Sequence, residues 1–188
     1  MGKKYEGKIK HTEDSIRQMY KITYNVYHMK RSTGRMIIGM GLVAAGILLE
    51  MPMAVQGILF MIGCWLLVSK DFPAKCAADE ALEARKKKNL ELPAMVTAFF
   101  ETHAELKGEG RMRLEYKCFE RLIEDNQYFY LFLGKDSVCM MEKESIQPKD
   151  CEKFKEFVTE KTGLQWRIIK PWFAMTVYEV FKLIRNKY

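Results

Sequence analysis

The chain has 188 residues, with 31 basic and 24 acidic side chains. Its net charge of +7 is uneven: residues 1–91 carry +6, residues 92–162 carry −3 and residues 163–188 carry +4. Because no compact region is strongly basic, nucleic acid is not a predicted partner. The five cysteines lack CxxC spacing and only three histidines accompany them, so we predict reduced thiols, no metal site and no cofactor.

The N-terminal segment, residues 1–35, is predicted to contain a short strand and an amphipathic helix. Lys3–Lys10 alternates weakly between apolar and polar residues, and Thr12 followed by two acids is typical of a helix start. Apolar residues then recur at helical spacing. Residues 20–27 also contain a strand-like alternation, which leaves helix and strand open there. We favour a helix from about Thr12 to Lys30.

The stretch Met36–Ser69 contains no Lys or Arg, and its one acid is Glu50. A helix needs about 20 mostly apolar residues to cross a bilayer. The sequence therefore predicts a transmembrane hairpin over residues 36–70, with spans at about 34–51 and 52–70.

Basic residues lie on both sides of this stretch, which by the positive-inside rule places both flanks in the cytoplasm. We accordingly expect a multi-pass protein of the bacterial inner membrane, with both termini cytoplasmic and the lipid bilayer as a partner. Anionic lipid headgroups are possible ligands of the flanks, although a solvated helix end would have the same composition. The candidate headgroup contacts are Lys30, Arg31, Arg35, Arg85, Lys86, Lys87 and Lys88.

Small residues recur within the predicted hairpin, and Gly41 and Ala45 form a small-xxx-small pair. Such a pair lets two helices approach closely. It would either pack the two helices of one hairpin or form a homo-oligomer contact, and we favour the first. The near absence of polar side chains argues against a channel or transporter.

Residues 71–91 are predicted to form a basic juxtamembrane helix, and residues 92–163 a small separate domain. After Pro93, β-rich runs alternate with turn signals, and an amphipathic helix follows at Asp150–Thr162 with Gly163 as its C-cap. This order is typical of a pleckstrin-homology-like antiparallel β-domain with a C-terminal helix. The predicted strands are Ala94–Thr102, Arg111–Tyr116, Phe119–Glu124, Tyr128–Leu133 and Val138–Met141.

Residues 164–188 are predicted to form an amphipathic C-terminal segment. Leu164–Lys170 could add an edge strand, and Trp172–Tyr188 has apolar residues at helical spacing among basic ones. This last helix would either lie on a membrane surface or pack on the rest of the protein. The sequence leaves both possibilities open.

A motif of aromatic, acidic and apolar residues runs through the predicted β-domain. Its members are Phe100, Glu101, Tyr116, Phe119, Leu122, Glu124, Tyr128, Phe129, Tyr130, Leu131, Phe132 and Lys143. Together with the order of elements, this motif resembles the YcxB-like family of bacterial membrane proteins. Glu142 stands where that family more often has Pro, and the tail after Gly163 is longer than the family pattern. The resemblance implies a bacterial inner-membrane protein of undefined biochemical role, with no active site.

The predicted fold class is thus an α+β membrane protein, a two-helix transmembrane hairpin followed by a small pleckstrin-homology-like domain. The predicted function is non-enzymatic: the cytoplasmic β-domain binds a protein or peptide partner at the membrane surface, through an exposed strand edge. One alternative is a membrane-bound hydrolase, with His103 flanked by Glu101 and Glu105, or with Cys118 or Cys139 as nucleophile. The other is an oligomeric channel or transporter subunit.

Overall fold

The computed structural model describes residues 2–108 and 110–168, without the side chains of Lys30 and Lys70. The predicted helix Trp172–Tyr188 lies outside the described residues. The chain divides into two units: a helical unit, Lys10–Pro93, and a β-rich unit made of residues up to Ile9 together with those from Ala94 onward.

The helical unit contains four α-helices. They are α1 (Glu13–Tyr27), α2 (Met29–Leu48), α3 (Met53–Val68) and α4 (Phe72–Lys87). Helix α1 begins as predicted, because the Ser15 backbone N–H donates to Thr12 Oγ1 at 3.1 Å and the Thr12 N–H donates to Ser15 Oγ at 2.9 Å. The open question over residues 20–27 is settled in favour of helix.

Helices α1 and α4 form an antiparallel pair. Their facing sides bury apolar residues such as Ile16, Ala78 and Leu82, while ion pairs run along the exposed side. Partner numbers on α4 fall as those on α1 rise, which defines the antiparallel direction. The pairs are Glu13–Lys86 (2.7 Å), Arg17–Asp79 (3.1 Å) and Lys21–Asp71 (3.5 Å).

Helices α2 and α3 form a second pair, packed closely through glycines. A Cβ at Gly63 would lie 2.7 Å from Val43 Cγ2 and 2.8 Å from the Gly39 carbonyl oxygen, and a Cβ at Gly46 would lie 3.1 Å from the Gln56 carbonyl oxygen. Any larger side chain at these positions would force the two helices apart.

The observed helices contradict the predicted transmembrane hairpin. In the described part of the chain, no single helix combines the length and apolar composition of a membrane span; only α3 and α4, bent by 46° at their junction, meet the criterion jointly. The apolar run is interrupted at Leu49–Pro52, so α3 is only 16 residues long. The uncharged part of α2 covers about 13 residues, or roughly 20 Å. The predicted location, a multi-pass protein of the inner membrane, depended on these two spans and is contradicted by the same finding.

The β-rich unit contains eight strands and one α-helix among the described residues. The strands are β1 (Tyr5–Lys10), β2 (Ala94–Phe99), β3 (His103–Lys107), β4 (Arg111–Glu115), β5 (Arg121–Glu124), β6 (Tyr128–Phe132), β7 (Val138–Glu142) and β8 (Trp166–Ile168), and helix α5 is Cys151–Thr162. Asp150 caps the start of α5 and Gly163, with φ of 70°, ends it as predicted.

The strands form two four-stranded sheets, in the orders β1-β2-β3-β4 and β7-β6-β5-β8. Strand β8 joins β5 in parallel, while β2–β3, β3–β4, β5–β6 and β6–β7 are antiparallel. The outer side of β1 is closed by the segment after β7: Glu6 and Gln147 exchange two backbone hydrogen bonds of 2.8 Å, and the Lys8 N–H donates to Ser145 Oγ at 2.7 Å.

The core lies where α5 meets the two sheets. The ring of Phe154 is fully buried and packs at centroid distances of 5.1 Å on Phe99, 5.3 Å on Phe129, 5.5 Å on Tyr5 and 6.3 Å on Trp166. Tyr5 and Phe99 belong to the first sheet, and Phe129 and Trp166 to the second. One side chain therefore contacts four strands of two sheets.

The fold-class prediction is accordingly wrong in its membrane component. The structure is an α+β fold with five α-helices and two sheets in its described residues. The sequence prediction also missed β3, which lies between the predicted strands Ala94–Thr102 and Arg111–Tyr116.

Replacing Gly63 by alanine should destabilise the helical unit. The added Cβ would overpack the α2–α3 contact, which costs about 1–3 kcal/mol and exceeds the gain of about 0.5–1 kcal/mol from helix propensity. A Cβ at Gly57 meets nothing within 4 Å, so Gly57→Ala should be neutral or stabilising. Urea unfolding followed by far-UV circular dichroism compares the two, and equal midpoints would contradict the packing described.

Candidate functional site

The predicted headgroup contacts fall into two groups at opposite ends of the α1–α4 pair. Arg31, exposed, and Arg35, half-buried, lie on the first turns of α2, directly after α1 ends. The second group lies at the end of α4, beside the start of α1. The length of α1 separates the groups by roughly 20 Å, so the structure does not bring them together.

The second group is partly engaged in contacts with its own unit. Lys86 pairs with Glu13 at 2.7 Å, Lys87 lies 3.8 Å from Glu83, and the Arg85 guanidinium donates to the Glu91 carbonyl oxygen at 3.1 Å. The remaining residues are Lys88, exposed at the end of α4, and Lys30, whose side chain lies outside the description. Headgroup binding by these residues stays a prediction.

His103 begins β3 and is held by its neighbours. Its ring stacks on Phe100 with centroids 4.8 Å apart, its Nδ1 lies 3.0 Å from Thr102 Oγ1, and its Nε2 lies 3.6 Å from Glu105. Glu101 instead pairs with Lys161, whose hydrogen bond lowers the pKa of that carboxyl. The described residues place no cysteine or serine nucleophile in hydrogen-bond contact with His103.

The two candidate nucleophiles differ sharply in their surroundings. Cys139 is fully buried in β7, with its Sγ 3.0 Å from Thr97 Oγ1, and burial raises the pKa of its thiol to about 11. Cys118 is exposed in the turn before β5. Because the thiolate is the reactive form, Cys139 is a packing residue in this environment.

Strand β4 forms one edge of the first sheet and is the most open part of that sheet. Four of its five residues are exposed, including Met112 at 57%. The opposite edge, β1, is closed by the segment around Gln147. Strand β4 has β3 as its one neighbour in the described sheet.

The register shows which backbone groups of β4 point outward. The Phe100 N–H donates to the His103 carbonyl at 2.9 Å, so His103 faces β2, and Ala104 and Leu106 face β4. Their partners are Leu114 and Met112, which therefore bond to β3. The backbone N–H and C=O groups of the alternate residues Arg111, Arg113 and Glu115 point away from the sheet.

The side chains of these three residues share one face of β4. Arg111 makes a bidentate contact with Glu105 at 2.8 and 2.9 Å, and this hydrogen bonding lowers the pKa of the Glu105 carboxyl. Glu115 pairs with Lys117 at 2.6 Å. In the described part of the chain Arg113 forms no ion pair. The open edge thus presents outward backbone groups beside one available positive charge.

A buried charge cluster fastens α5 to the second sheet. Glu124, 5% exposed, ends β5 and accepts from Lys143 at 2.6 Å, while Lys155 of α5 pairs with it at 2.8 Å. Lys143 also lies 4.9 Å from the centre of the Phe129 ring. Burial alone would raise the pKa of Glu124, but the hydrogen bonds from both lysines outweigh it and lower this pKa.

Other possible sites offer less. Among the described residues no group of three or more His, Cys, Asp or Glu side chains could hold a metal ion. A charged groove lies between α1 and α4, but Arg17 pairs with Asp79 and Lys21 with Asp71 across it. We therefore take the β4 edge as the candidate functional site.

The sequence analysis predicted binding through an exposed strand edge but did not identify the strand that forms it. It identified a strand at Arg111–Tyr116, and the alternation of charged residues with Met112 and Leu114 was a signal of one exposed face. Sequence alternation does not show which strands lie at an edge, because that depends on the order of pairing in the sheet.

Comparison with protein-family models, with curated proteins and with solved structures yields no match. The resemblance to YcxB-like proteins stays a prediction. Two of the residues on which it rests, Glu124 and Lys143, form the buried ion pair described above.

Thiol labelling of the native protein should distinguish Cys118 from Cys139 by their reactivity. Under native conditions Cys118 should react with iodoacetamide, whereas Cys139 should react only after unfolding, because it is buried and mainly protonated below pH 11. Mass spectrometry of labelled peptides measures both. Labelling of native Cys139 as fast as Cys118 would reopen the hydrolase alternative.

Glu124→Gln should weaken the β-rich unit by about 1–3 kcal/mol at neutral pH, because two partly buried lysines lose their counter-charge. Since folding lowers the pKa of Glu124, its stabilisation is present above the unfolded pKa and is lost as pH falls through the folded one. As the pH falls from 7 to 3, the free energy of unfolding of the variant should therefore decrease less than that of the native chain. Urea unfolding from pH 3 to 7 tests this against Glu156→Gln, an exposed position on α5; equal pH profiles would count against the cluster.

Proposed function

We propose that the protein is a non-enzymatic binding module whose β-rich unit captures an extended segment of a partner protein along β4. The observation that carries the proposal is the outward direction of the backbone groups of Arg111, Arg113 and Glu115. An added strand would pair with these groups and extend the first sheet by β-augmentation.

The β4 edge suits the addition of a partner strand that is both well ordered and selected by its sequence. Main-chain hydrogen bonds supply affinity in this binding mode, and alternate side chains supply specificity. Charged side chains along an edge suppress indiscriminate pairing of strands. A cross-strand pair of opposite charge contributes roughly 0.2–1 kcal/mol, so Arg113 favours a partner with an acidic residue opposite it.

The surroundings of β4 support a preformed edge. Leu114 packs against the aromatic core, and the Glu105–Arg111 contact holds β3 and β4 together on the opposite face. The edge therefore does not need to order itself when a partner arrives, which reduces the entropic cost of binding.

Selection of linear peptides from a random displayed library on the immobilised full chain tests the proposal. The expected peptides bind in an extended form and carry an acid facing Arg113. Arg113→Pro removes an outward N–H without touching the bonds to β3, and Pro is tolerated at such edge positions. It should weaken binding at least about tenfold, the loss expected when roughly 1.4 kcal/mol is removed.

The matched control is Arg113→Ala, which keeps the backbone N–H and removes only the charge. It should weaken binding by about fivefold at most, since the side-chain pair contributes no more than roughly 1 kcal/mol. Selection of no peptide, or equal binding by Arg113→Pro and the native chain, would contradict capture at β4.

A further inference from the structure

Strand β4 carries two charges of opposite sign on the same face of its open edge. Arg113 and Glu115 are two residues apart, so their side chains lie on one face of the strand, and their backbone N–H and C=O groups point away from the sheet. The side chain of Glu115 is 63% exposed, and Arg113 is exposed as well. A strand with an acid and a base at this spacing can be complementary to a second strand of the same sequence.

The backbone restricts the register of such a pair. In an antiparallel pair of identical strands, a two-fold axis relates the copies, and each residue lies opposite one at the same distance from the axis. The residues with outward backbone groups, Arg111, Arg113 and Glu115, must lie opposite one another to form hydrogen bonds. The axis therefore passes through a residue position and not between two positions. An axis at either end of β4 pairs only the terminal residue within the strand, which leaves positions 112, 113 and 114.

The charges distinguish these three registers. With the axis at Met112, Arg111 of each copy lies opposite Arg113 of the other. With the axis at Arg113, the two Arg113 side chains lie opposite each other. With the axis at Leu114, Arg113 of each copy lies opposite Glu115 of the other, and no like charges of the strand meet. Directly opposed like charges destabilise a sheet, whereas opposite charges stabilise it, so the axis at Leu114 is favoured.

The ion pairs within the first sheet favour the same register. An axis at Arg113 would require Arg111 as the partner of Glu115. The Arg111 guanidinium, however, is already held by Glu105 at 2.8 and 2.9 Å. An axis at Leu114 uses Arg113 instead, which forms no ion pair with any residue that the structure describes. The cation used in this register is thus the one that has no acid of its own.

The neighbouring charge of Lys117 is compatible with this register. Lys117 pairs with Glu115 of its own chain at 2.6 Å, and a carboxylate accepts from several donors, so Glu115 can also bind Arg113 of the other copy. Lys117 would lie opposite Arg111 of the other copy, but each of these cations already has its own acid. Lys117 also lies in the turn after β4, outside the strand. This contact therefore adds little repulsion.

We propose that the segment captured along β4 is β4 of a second copy of this chain, antiparallel to the first and with the two-fold axis at Leu114. This inference rests on the proposed capture at β4 and names its partner. Each Arg113–Glu115 pair would exchange both main-chain hydrogen bonds across the edge, and the first sheets of the two copies would become one continuous sheet. The Leu114 side chains would meet at the axis on the core-facing side, where the two strands lie closest.

The contact is short, because only positions 113–115 of each copy pair within the strands. A stable dimer buries about 800 Å² on each partner, which so short a stretch cannot provide. We therefore expect weak, reversible association that increases with protein concentration.

A charge exchange tests both the partner and the register. Arg113→Glu sets acids opposite each other and Glu115→Arg sets bases opposite each other, so each variant alone should self-associate at least about tenfold more weakly than the native chain. Mixed together, the two variants should associate like the native chain, because each pair at these positions then contains one acid and one base. Sedimentation velocity up to about 1 mM chain measures each variant alone, and fluorescence-detected sedimentation with one labelled variant measures the mixture.

Matched controls make the same charge changes away from β4. Lys135→Glu and Glu156→Arg lie at exposed positions, in the turn between β6 and β7 and on α5. Both should associate like the native chain. Far-UV circular dichroism checks that all variants keep the fold, which is expected because the exchanged side chains are exposed.

Three outcomes would overturn the inference. The native chain could stay monomeric over the whole concentration range, either single variant could associate as strongly as the native chain, or the mixture could fail to recover association. Weakening by Glu115→Arg but not by Arg113→Glu would place the axis at Arg113 and reject the register.

The inference and the proposed function fail in different ways. A monomeric chain that still binds the selected peptides would reject a second copy as the partner and leave capture at β4 standing. If Arg113→Pro changes neither peptide binding nor self-association, capture at β4 itself is rejected.

Discussion

The packing of Phe154 is the interaction on which the β-rich unit depends. Its ring contacts β1 and β2 of one sheet and β6 and β8 of the other, so α5 covers the place where the two sheets meet. Aromatic pairs in such contacts add about 0.5–1.5 kcal/mol each beyond the area they bury. Because β1 and β2 are the strands under this helix, the free edge of the first sheet falls at its other end, on β4.

The ion pairs of α5 complement this apolar contact. Lys155 reaches Glu124 at the end of β5, and Lys161 reaches Glu101 in the β2–β3 turn. The helix is therefore fixed by charge to both sheets, at two points that both follow Phe154 in the sequence. Glu124 is buried and has two partners, whereas Glu101 is half-exposed, so solvent screens the second pair more strongly. This difference makes the Glu124 cluster the better probe of how firmly α5 is held.

Local signals in the sequence identified local structure well. The Thr12 cap and the amphipathic helix ending at Gly163 depend on neighbouring residues, and the structure confirms both. The sequence does not show which strands pair when they are far apart along the chain: β1 pairs with β2 although the whole helical unit lies between them in sequence. Strand β3 was missed because its polar residues interrupt the apolar pattern. The hairpin prediction failed for a different reason. It divided the apolar run at residues 51 and 52, close to the observed break, but it counted residues of that break as part of the two spans. The apolar helical stretches that form are shorter than a membrane span needs.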